Sequence, residues 1–161
     1  MLAAHPFDGA VRAAVLALKY GGRTRLVPFL SAALADALVT RPLEVDLVVP
    51  VPLTRARVRA RGFNQAELLA RPLAEARDWP LHSGALVRAR ETAQQTRLPA
   101  RARRANVAGA FTVPDAALVR DRRILLVDDV CTTGATLEAC AAPLLEAGAA
   151  GVWAIVVARE V

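Results

Sequence analysis

An α/β domain with a mainly parallel central sheet flanked by helices is the fold class that this sequence predicts, and three observations carry it. Short aliphatic runs alternate with helix-spaced segments along the chain, the order that builds parallel sheets through right-handed crossovers. The run ILLV at residues 124–127 lacks polar alternation, as a strand buried on both faces does, and it ends in Asp128 and Asp129. At 161 residues the chain has the length of one domain, able to bury roughly two-thirds of its unfolded surface in a single core.

Residues 9–20 place Val11, Ala14, Val15 and Leu18 at helical spacing, and Gly21 and Gly22 supply a stop. A second helix is expected over residues 24–39, with Pro28 tolerated in its first turn. DLVVPV (46–51) reads as a strand whose end is marked by Pro50 and Pro52. NQAELLARPLAEAR (64–77) opens on Asn64 as a cap with Glu67 three residues on, a capping-box pattern, and Pro72 is expected to kink it. GALVRAR (84–90) and AFTV (110–113) suit strands joined by a polar, arginine-rich connection. RILLVDD is the next strand, GATLEACAAPLLEAG (134–148) the helix after it with Pro143 inside, and GVWAIVVA (151–158) the last strand. No repeat, low-complexity segment or linker divides the chain.

Composition narrows the class of function. Although 55% of residues are hydrophobic, no run approaches the ~20 apolar residues of a membrane span. The start, MLAAHPFDGAVRAAV, lacks the basic region and cleavage site of a signal peptide, so a cytoplasmic protein without membrane attachment is expected. Two cysteines, Cys131 and Cys140, form neither a disulfide framework nor a set of zinc ligands. The formal charge of +6 comes almost wholly from arginine, Lys19 being the one lysine. That balance suits a phosphate-rich ligand or nucleic acid, and a compositional habit of arginine for lysine accounts for the bulk of it equally well.

After the acid pair, VCTTGAT leads straight into a helix. A strand, a turn of small residues and a helix start together make an anion site, because backbone N–H groups point outward and the helix dipole favours negative charge. Thr132, Thr133 and Thr136 add hydroxyls, and Gly134 permits an unusual backbone dihedral. The stretch is neither a Walker loop nor a Rossmann fingerprint. Carboxylates at the carboxyl end of a strand are well placed for a ligand. An acid pair beside a phosphate cradle matches a ribose 5-phosphate: carboxylates accept hydrogen bonds from vicinal hydroxyls and help hold magnesium, directly or through water. The alternative is that one aspartate caps the turn and the other is solvated.

The string ILLVDDVCTTGAT (124–136) resembles, at every position, the phosphoribosyl pyrophosphate (PRPP) binding motif of the type I phosphoribosyltransferases. The resemblance implies that fold in a single domain, 1–161, with a small amino-terminal helical hood (1–43) over a PRPP-binding core (44–161). It implies that Asp128 and Asp129, as catalytic residues, contact the ribose 2- and 3-hydroxyls. Thr132, Thr133, Gly134, Ala135 and Thr136 would wrap the 5-phosphate. The loop after the first core strand, with Leu53, Thr54, Arg55 and Arg61, would receive pyrophosphate; Arg55, Arg57, Arg59 and Arg61 alternate there, as an extended cationic loop would. Magnesium would arrive with PRPP, at most water-bridged to the acid pair. Residues 88–111 occupy the place of a long loop that closes over substrate, with Arg90, Gln95, Thr96 and Arg97. Cys131 falls where the motif is free, which argues against a catalytic thiol, and Cys140 reads as core.

KYGGR, then PVPLTRARVRARGFNQAELLAR, then RETAQQTRL and RRANVAGAF, in this order before VDDVCTTGAT, resemble the ComF family of competence-associated phosphoribosyltransferase-like proteins over nearly the whole chain. A cysteine-rich zinc module precedes the KYGG helix in many members; no such cysteines occur here, so that module is expected to be absent, and His5 and His82 read as ordinary residues. The activity implied is transfer of phosphoribosyl from PRPP to a nitrogen acceptor with release of pyrophosphate, in connection with DNA uptake. The acceptor is not legible, although Tyr20 offers a ring for stacking on a base. Another class stays open: a non-catalytic PRPP or nucleotide sensor, or a single-stranded DNA-binding protein of competence. Aromatic content of 4% weakens strand recognition by stacking, while the charge supports backbone binding. The partners implied are PRPP or a nucleoside monophosphate, a competence helicase, weakly held single-stranded DNA and a second copy of the chain.

Overall fold

The computed structural model describes residues 1–89 and 109–160. In chain order they form β1 (Leu2–Pro6), α1 (Gly9–Gly21), a 3-10 turn (Thr24–Leu26), α2 (Val27–Val39), β2 (Leu47–Pro50), α3 (Arg55–Arg61) and α4 (Gln65–Ala76). The short strands β3 (Val87–Arg88) and β4 (Phe111–Thr112), a second 3-10 turn (Ala116–Leu118), β5 (Arg123–Cys131), α5 (Ala135–Glu146) and β6 (Gly151–Arg159) complete them. Among the described residues no helix is long and apolar enough to cross a membrane.

The central sheet is parallel, in the order β1-β6-β5-β2. Residues 80–82 extend it beyond β2 by one bridge: the Val48 N–H donates to the Pro80 carbonyl at 2.8 Å and the His82 N–H to the Val48 carbonyl at 3.0 Å. From β2 the chain runs through α4 to this outer edge, whereas from β5 it runs through α5 to β6 on the opposite side. The direction of winding therefore reverses between β2 and β5, and such a reversal opens a crevice at the carboxyl ends of those two strands. At their other ends the Arg123 guanidinium forks onto Asp46, with Nε to Oδ2 at 2.8 Å and Nη2 to Oδ1 at 2.7 Å, and this pins the register.

Helices α1, α2 and α4 cover one face, where Leu18, Leu30, Leu34, Leu69 and Leu73 pack on Val48, Leu125, Val127 and Ile155. On the other, Leu137 and Leu144 of α5 and Phe111 of β4 pack on Val49, Ile124, Leu126 and Val156. The aliphatic run 124–127 alternates between the two faces and is wholly buried, each side chain stabilising by about 1.5–3 kcal/mol. That is why it needs no polar alternation.

Most elements fall where the pattern puts them, with instructive differences. Gly22 at φ 60° stops α1, and the second helix starts as a 3-10 turn before Pro28 enters the first turn of α2. Asn64 caps α4 by accepting from the Ala66 N–H at 3.1 Å, while Glu67 turns to Arg71 at 3.0 Å. Helices α4 and α5 continue through Pro72 and Pro143; burial of Leu69, Leu73 and Leu144 offsets the cost of about 3 kcal/mol of an interior proline. The strands expected over 84–90 and 110–113 shrink to a two-residue antiparallel pair apart from the main sheet. Ala85 and Leu86 are instead taken into the core. Strand β1 was not anticipated, since LAAHP has no β-branched residue; pairing with β6 makes it the edge of the sheet. Residues 1–43 thus comprise an edge strand and a helix, α2, packed on α4 and the sheet, besides α1.

Candidate functional site

Strand β5 carries the acid pair, and it runs on past both acids to Cys131 rather than ending at them. Neighbouring β2 stops pairing at Pro50, opposite Val127, whereas β6 continues alongside to Arg159. The β2 side of β5 is therefore open from Asp128 onward, at the crevice between the two strands. Successive strand residues point to opposite faces, so the two carboxylates diverge. Asp128 pairs with Val156 and follows Ile124 and Leu126 toward α5; Asp129 follows Leu125 and Val127 toward α1.

Asp129 is 2% exposed; one oxygen is hydrogen-bonded and the other is met by an ion pair alone. Its Oδ1 accepts from the Val130 N–H at 2.8 Å, and its Oδ2 lies 2.9 Å from the Lys19 ammonium at the end of α1. Asp128 is half-buried, with Oδ1 accepting from the Asp129 N–H at 2.9 Å. Burial first, and then the charge of Asp129, push the Asp128 carboxyl up to about 8, against the opposing pull of Lys19. A carboxyl that retains its proton to that range costs stability when ionised, as expected for a group kept for chemistry.

Beyond Cys131, residues 132–136 turn into α5. Gly134 sits at φ 82°, where a Cβ would have room, its nearest neighbour being Glu138 Oε1 at 3.8 Å; conformation rather than space calls for glycine there. Thr133 Oγ1 accepts from the Ala135 N–H at 3.4 Å. Cys131 is buried, and burial raises the pKa of its thiol, unlike that of an activated nucleophile. Cys140 lies in the core as expected. Ala135 is buried, Thr133 and Thr136 are half-buried and Thr132 is exposed, at the start of a 12-residue helix.

The second wall of the crevice is the exit of β2. An extended arginine loop was expected here, and the structure corrects it: residues 55–61 are helix α3, capped by Thr54 Oγ1, which accepts from the Arg57 N–H at 3.2 Å, and closed by Gly62 at φ 85°. Alternate arginines on a helix point to different sides. Arg55 and Arg59 share one exposed side, while Arg57 and Arg61 are half-buried. Arg61 donates to Gln65 Oε1 and lies over the exposed Tyr20 ring, 5.7 Å from its centroid. Leu53 is half-buried and lines a cavity of about 460 Å³ with Pro52, Val58 and Phe63 that no residue of the acid pair or threonine turn reaches.

Sequence reasoning passed over Arg88. It lies over the Phe111 ring at 5.1 Å in the β3–β4 pair. Burial and the nearby Arg57 lower its pKa, while Asp128 raises it. Arg88 thus feels the charges of both Arg57 and Asp128, while Lys19 stands at Asp129. A charged residue in the strand-like stretch GALVRAR was the available signal. Arg90, Gln95, Thr96 and Arg97, expected in a closing loop, lie outside the described residues.

Comparison with known proteins agrees with this geometry. The family model described as phosphoribosyl transferase domain matches residues 12–160. The DNA utilization protein YhgH of Escherichia coli K12 is 39% identical over 140 residues, which cover 84% of this chain and 61% of that protein. Competence protein F of Haemophilus influenzae is 38% identical over 118 residues, 70% of this chain and 50% of that one. The chain thus spans only half to three-fifths of the length of these relatives. Among solved structures, the glutamine PRPP amidotransferase of B. subtilis, complexed with ADP and GMP, superposes with a TM-score of 0.56 at 25% identity, over 83% of this chain and 26% of that one. A purine phosphoribosyltransferase of Pyrococcus horikoshii shares the fold, with a TM-score of 0.51 at 20% identity, over 84% of this chain and 73% of that one. With the switch-point crevice and the motif in place, the chain belongs to the phosphoribosyl transferase domain family and, within it, to the ComF type.

Proposed function

We propose that this chain binds PRPP in the crevice between β2 and β5 and transfers its phosphoribosyl group to a nitrogen acceptor, releasing pyrophosphate. One observation carries the reading: residues 132–136 turn through Gly134 from β5 straight into α5, beside an acid pair on the open flank of the strand. The first N–H groups of a helix have no intrahelical acceptor, so a 5-phosphate on Thr132, Thr133, Gly134, Ala135 and Thr136 meets both donors and dipole.

In the reaction the bond from ribose C1 to the diphosphate oxygen breaks, its electron pair leaves with pyrophosphate, and the acceptor nitrogen bonds to C1 and loses its proton to solvent. Asp128 and Asp129 orient the ribose hydroxyls, and Asp128, which keeps its proton up to about 8 in the free protein, favours the positive charge that develops on the ribose once it has ionised. Arginine from the β2 exit, with Leu53, Thr54, Arg55 and Arg61 as the expected contacts, receives the leaving diphosphate. No covalent nucleophile is needed. The donor set fits magnesium held by the ligand: Asp129 already serves Val130 and Lys19, so Asp128, through water, is the acid to hold an ion that prefers substrate phosphates and waters. When bound, magnesium neutralises the diphosphate.

The test is calorimetric titration with magnesium-PRPP and ribose 5-phosphate, followed by a screen of nitrogen acceptors for pyrophosphate release. Absence of binding by either ligand at millimolar concentration would sink the reading. A second reading, a DNA-handling or sensing protein, draws on the names of the relatives and on exposed Arg55 and Arg59. Tight single-stranded DNA binding that ignores PRPP would favour it.

A further inference from the structure

Helices α3 and α4 share one outward face. On α3 and its cap, Arg55, Val58, Arg59 and Gly62 follow the three- and four-residue spacing of a single helix side. On α4, Glu67, Leu68, Arg71 and Glu75 do the same, with Asp78 just beyond the last turn. Two cavities, of about 460 and 360 Å³, lie along this face and meet at Arg71. Leu53, Val58, Phe63 and Leu68 give the first an apolar lining, and Trp79 and Leu81 the second. Neither the acid pair nor the threonine turn lines either cavity, so the groove is separate from the crevice.

Charge is laid out along the groove in a definite order. The α3 end carries exposed Arg55 and Arg59, the middle holds Arg71 paired with Glu67 at 3.0 Å, and the far end carries exposed Glu75 and Asp78. None of the four end charges makes an ion pair among the described residues. Arg77, next to the acids, is spent on α2, where it donates to the Ala35 carbonyl at 3.0 Å. A polyanion would match only the first end, and a basic segment only the last. A second copy of the chain matches both. Turned by half a rotation about the Glu67–Arg71 pair, the positive end of one copy meets the acidic end of the other, and the apolar linings face each other between them. A two-fold contact requires this self-complementarity, since every residue contact occurs twice with the copies exchanged.

We propose that the α3–α4 groove is the contact between two copies of this chain, with Arg55 and Arg59 of each copy set against Glu75 and Asp78 of the other. The proposal does not depend on what the crevice binds. Helix α4, of 12 residues, is about 18 Å long, which keeps the contact near or below the standard interface of roughly 800 Å² per partner; dissociation in the micromolar range is expected. The test is sedimentation velocity of the whole chain across that range, at low and high salt. A dimer that forms with rising concentration and weakens with salt is expected. Glu75→Arg and Arg59→Glu should each weaken it roughly ten-fold, because each turns two symmetric contacts from attraction into repulsion. Both side chains are exposed on helices, and circular dichroism checks that the variants stay folded. The two variants mixed in equal amounts should associate about as well as the wild type, since in the mixed pair every contact joins opposite charges again. A wild type that stays monomeric throughout, a dimer indifferent to both reversals, or a mixture that associates no better than its components would overturn the proposal.

Discussion

Replacing Asp128 by asparagine is expected to make the protein more stable at pH 8 and no different at pH 4. Burial and Asp129 raise its carboxyl from an ordinary 3.8 to about 8, so the unfolded chain releases this proton early and the folded chain keeps it. Stability therefore falls as pH rises between those values and levels off above the upper one. At about 1.4 kcal/mol per tenfold change in proton concentration, the upper bound at pH 7 is roughly 4 kcal/mol. Water at a half-buried carboxyl and adjustment of Lys19 reduce this to about 2 kcal/mol, or roughly 4–8 °C in Tm for a chain of this size. Asparagine keeps the shape and removes the charge, facing the same Asp129, Lys19 and Arg88. The assay is urea unfolding of both proteins at intervals from pH 4 to pH 8, with magnesium-PRPP titration in parallel. Expected are curves that diverge with rising pH, together with loss of ligand binding. Parallel curves, or a variant that is weaker at pH 8, would show that Asp128 serves the fold and refute the argument that it is kept for a ligand.

Asp129→Asn should act oppositely, destabilising by about 3 kcal/mol because the ammonium of Lys19 is left without its partner in a mostly buried place; chemical denaturation checks it. Gly134→Val should cost about 1–2 kcal/mol from its left-handed backbone and abolish ribose 5-phosphate binding while the protein stays folded, which calorimetry and circular dichroism would show together. Asp46→Asn should flatten the acid side of the stability profile. Hydrogen bonds from Arg123 hold the Asp46 carboxyl well below the usual range, so this pair stabilises above the ordinary carboxylate pKa and the contribution fades as pH falls through the lower folded value. Arg88→Met should weaken pyrophosphate binding more than Arg55→Ala does, since Arg88 faces Asp128 and Arg55 faces solvent.

What the sequence disclosed follows the physics of each segment. A strand buried on both faces shows itself through unbroken aliphatic residues, so β5, β6 and β2 were legible, and the turn after β5 was legible because its glycine and threonines are chemically unusual in combination. Strand β1 was not, because LAAHP forms its edge by pairing with β6 and not by propensity. Helix α3 had its signals: Thr54 as cap, arginine and alanine as good helix formers, Gly62 as stop. Alternation of arginine with other residues suggested a period of two and hid them. The division of labour between the acids was beyond sequence reasoning, since Lys19 reaches Asp129 across more than a hundred residues of chain.

Pairing of β1 with β6 joins the first-made part of this domain to the last: Leu2 lies opposite Ile155 and Pro6 opposite Arg159. During synthesis the opening strand must wait, its sheet edge unmatched, until nearly the whole domain has left the ribosome. Such non-local closure slows folding and exposes intermediates to aggregation. It also acts as a safeguard. Lys19 hangs from the segment just after β1, and the acid pair sits on β5, which β6 flanks. A chain broken off before β6 would leave the strand that carries the acid pair unsupported on one flank, so on the phosphoribosyl reading proposed above an unfinished copy would not bind its ligand.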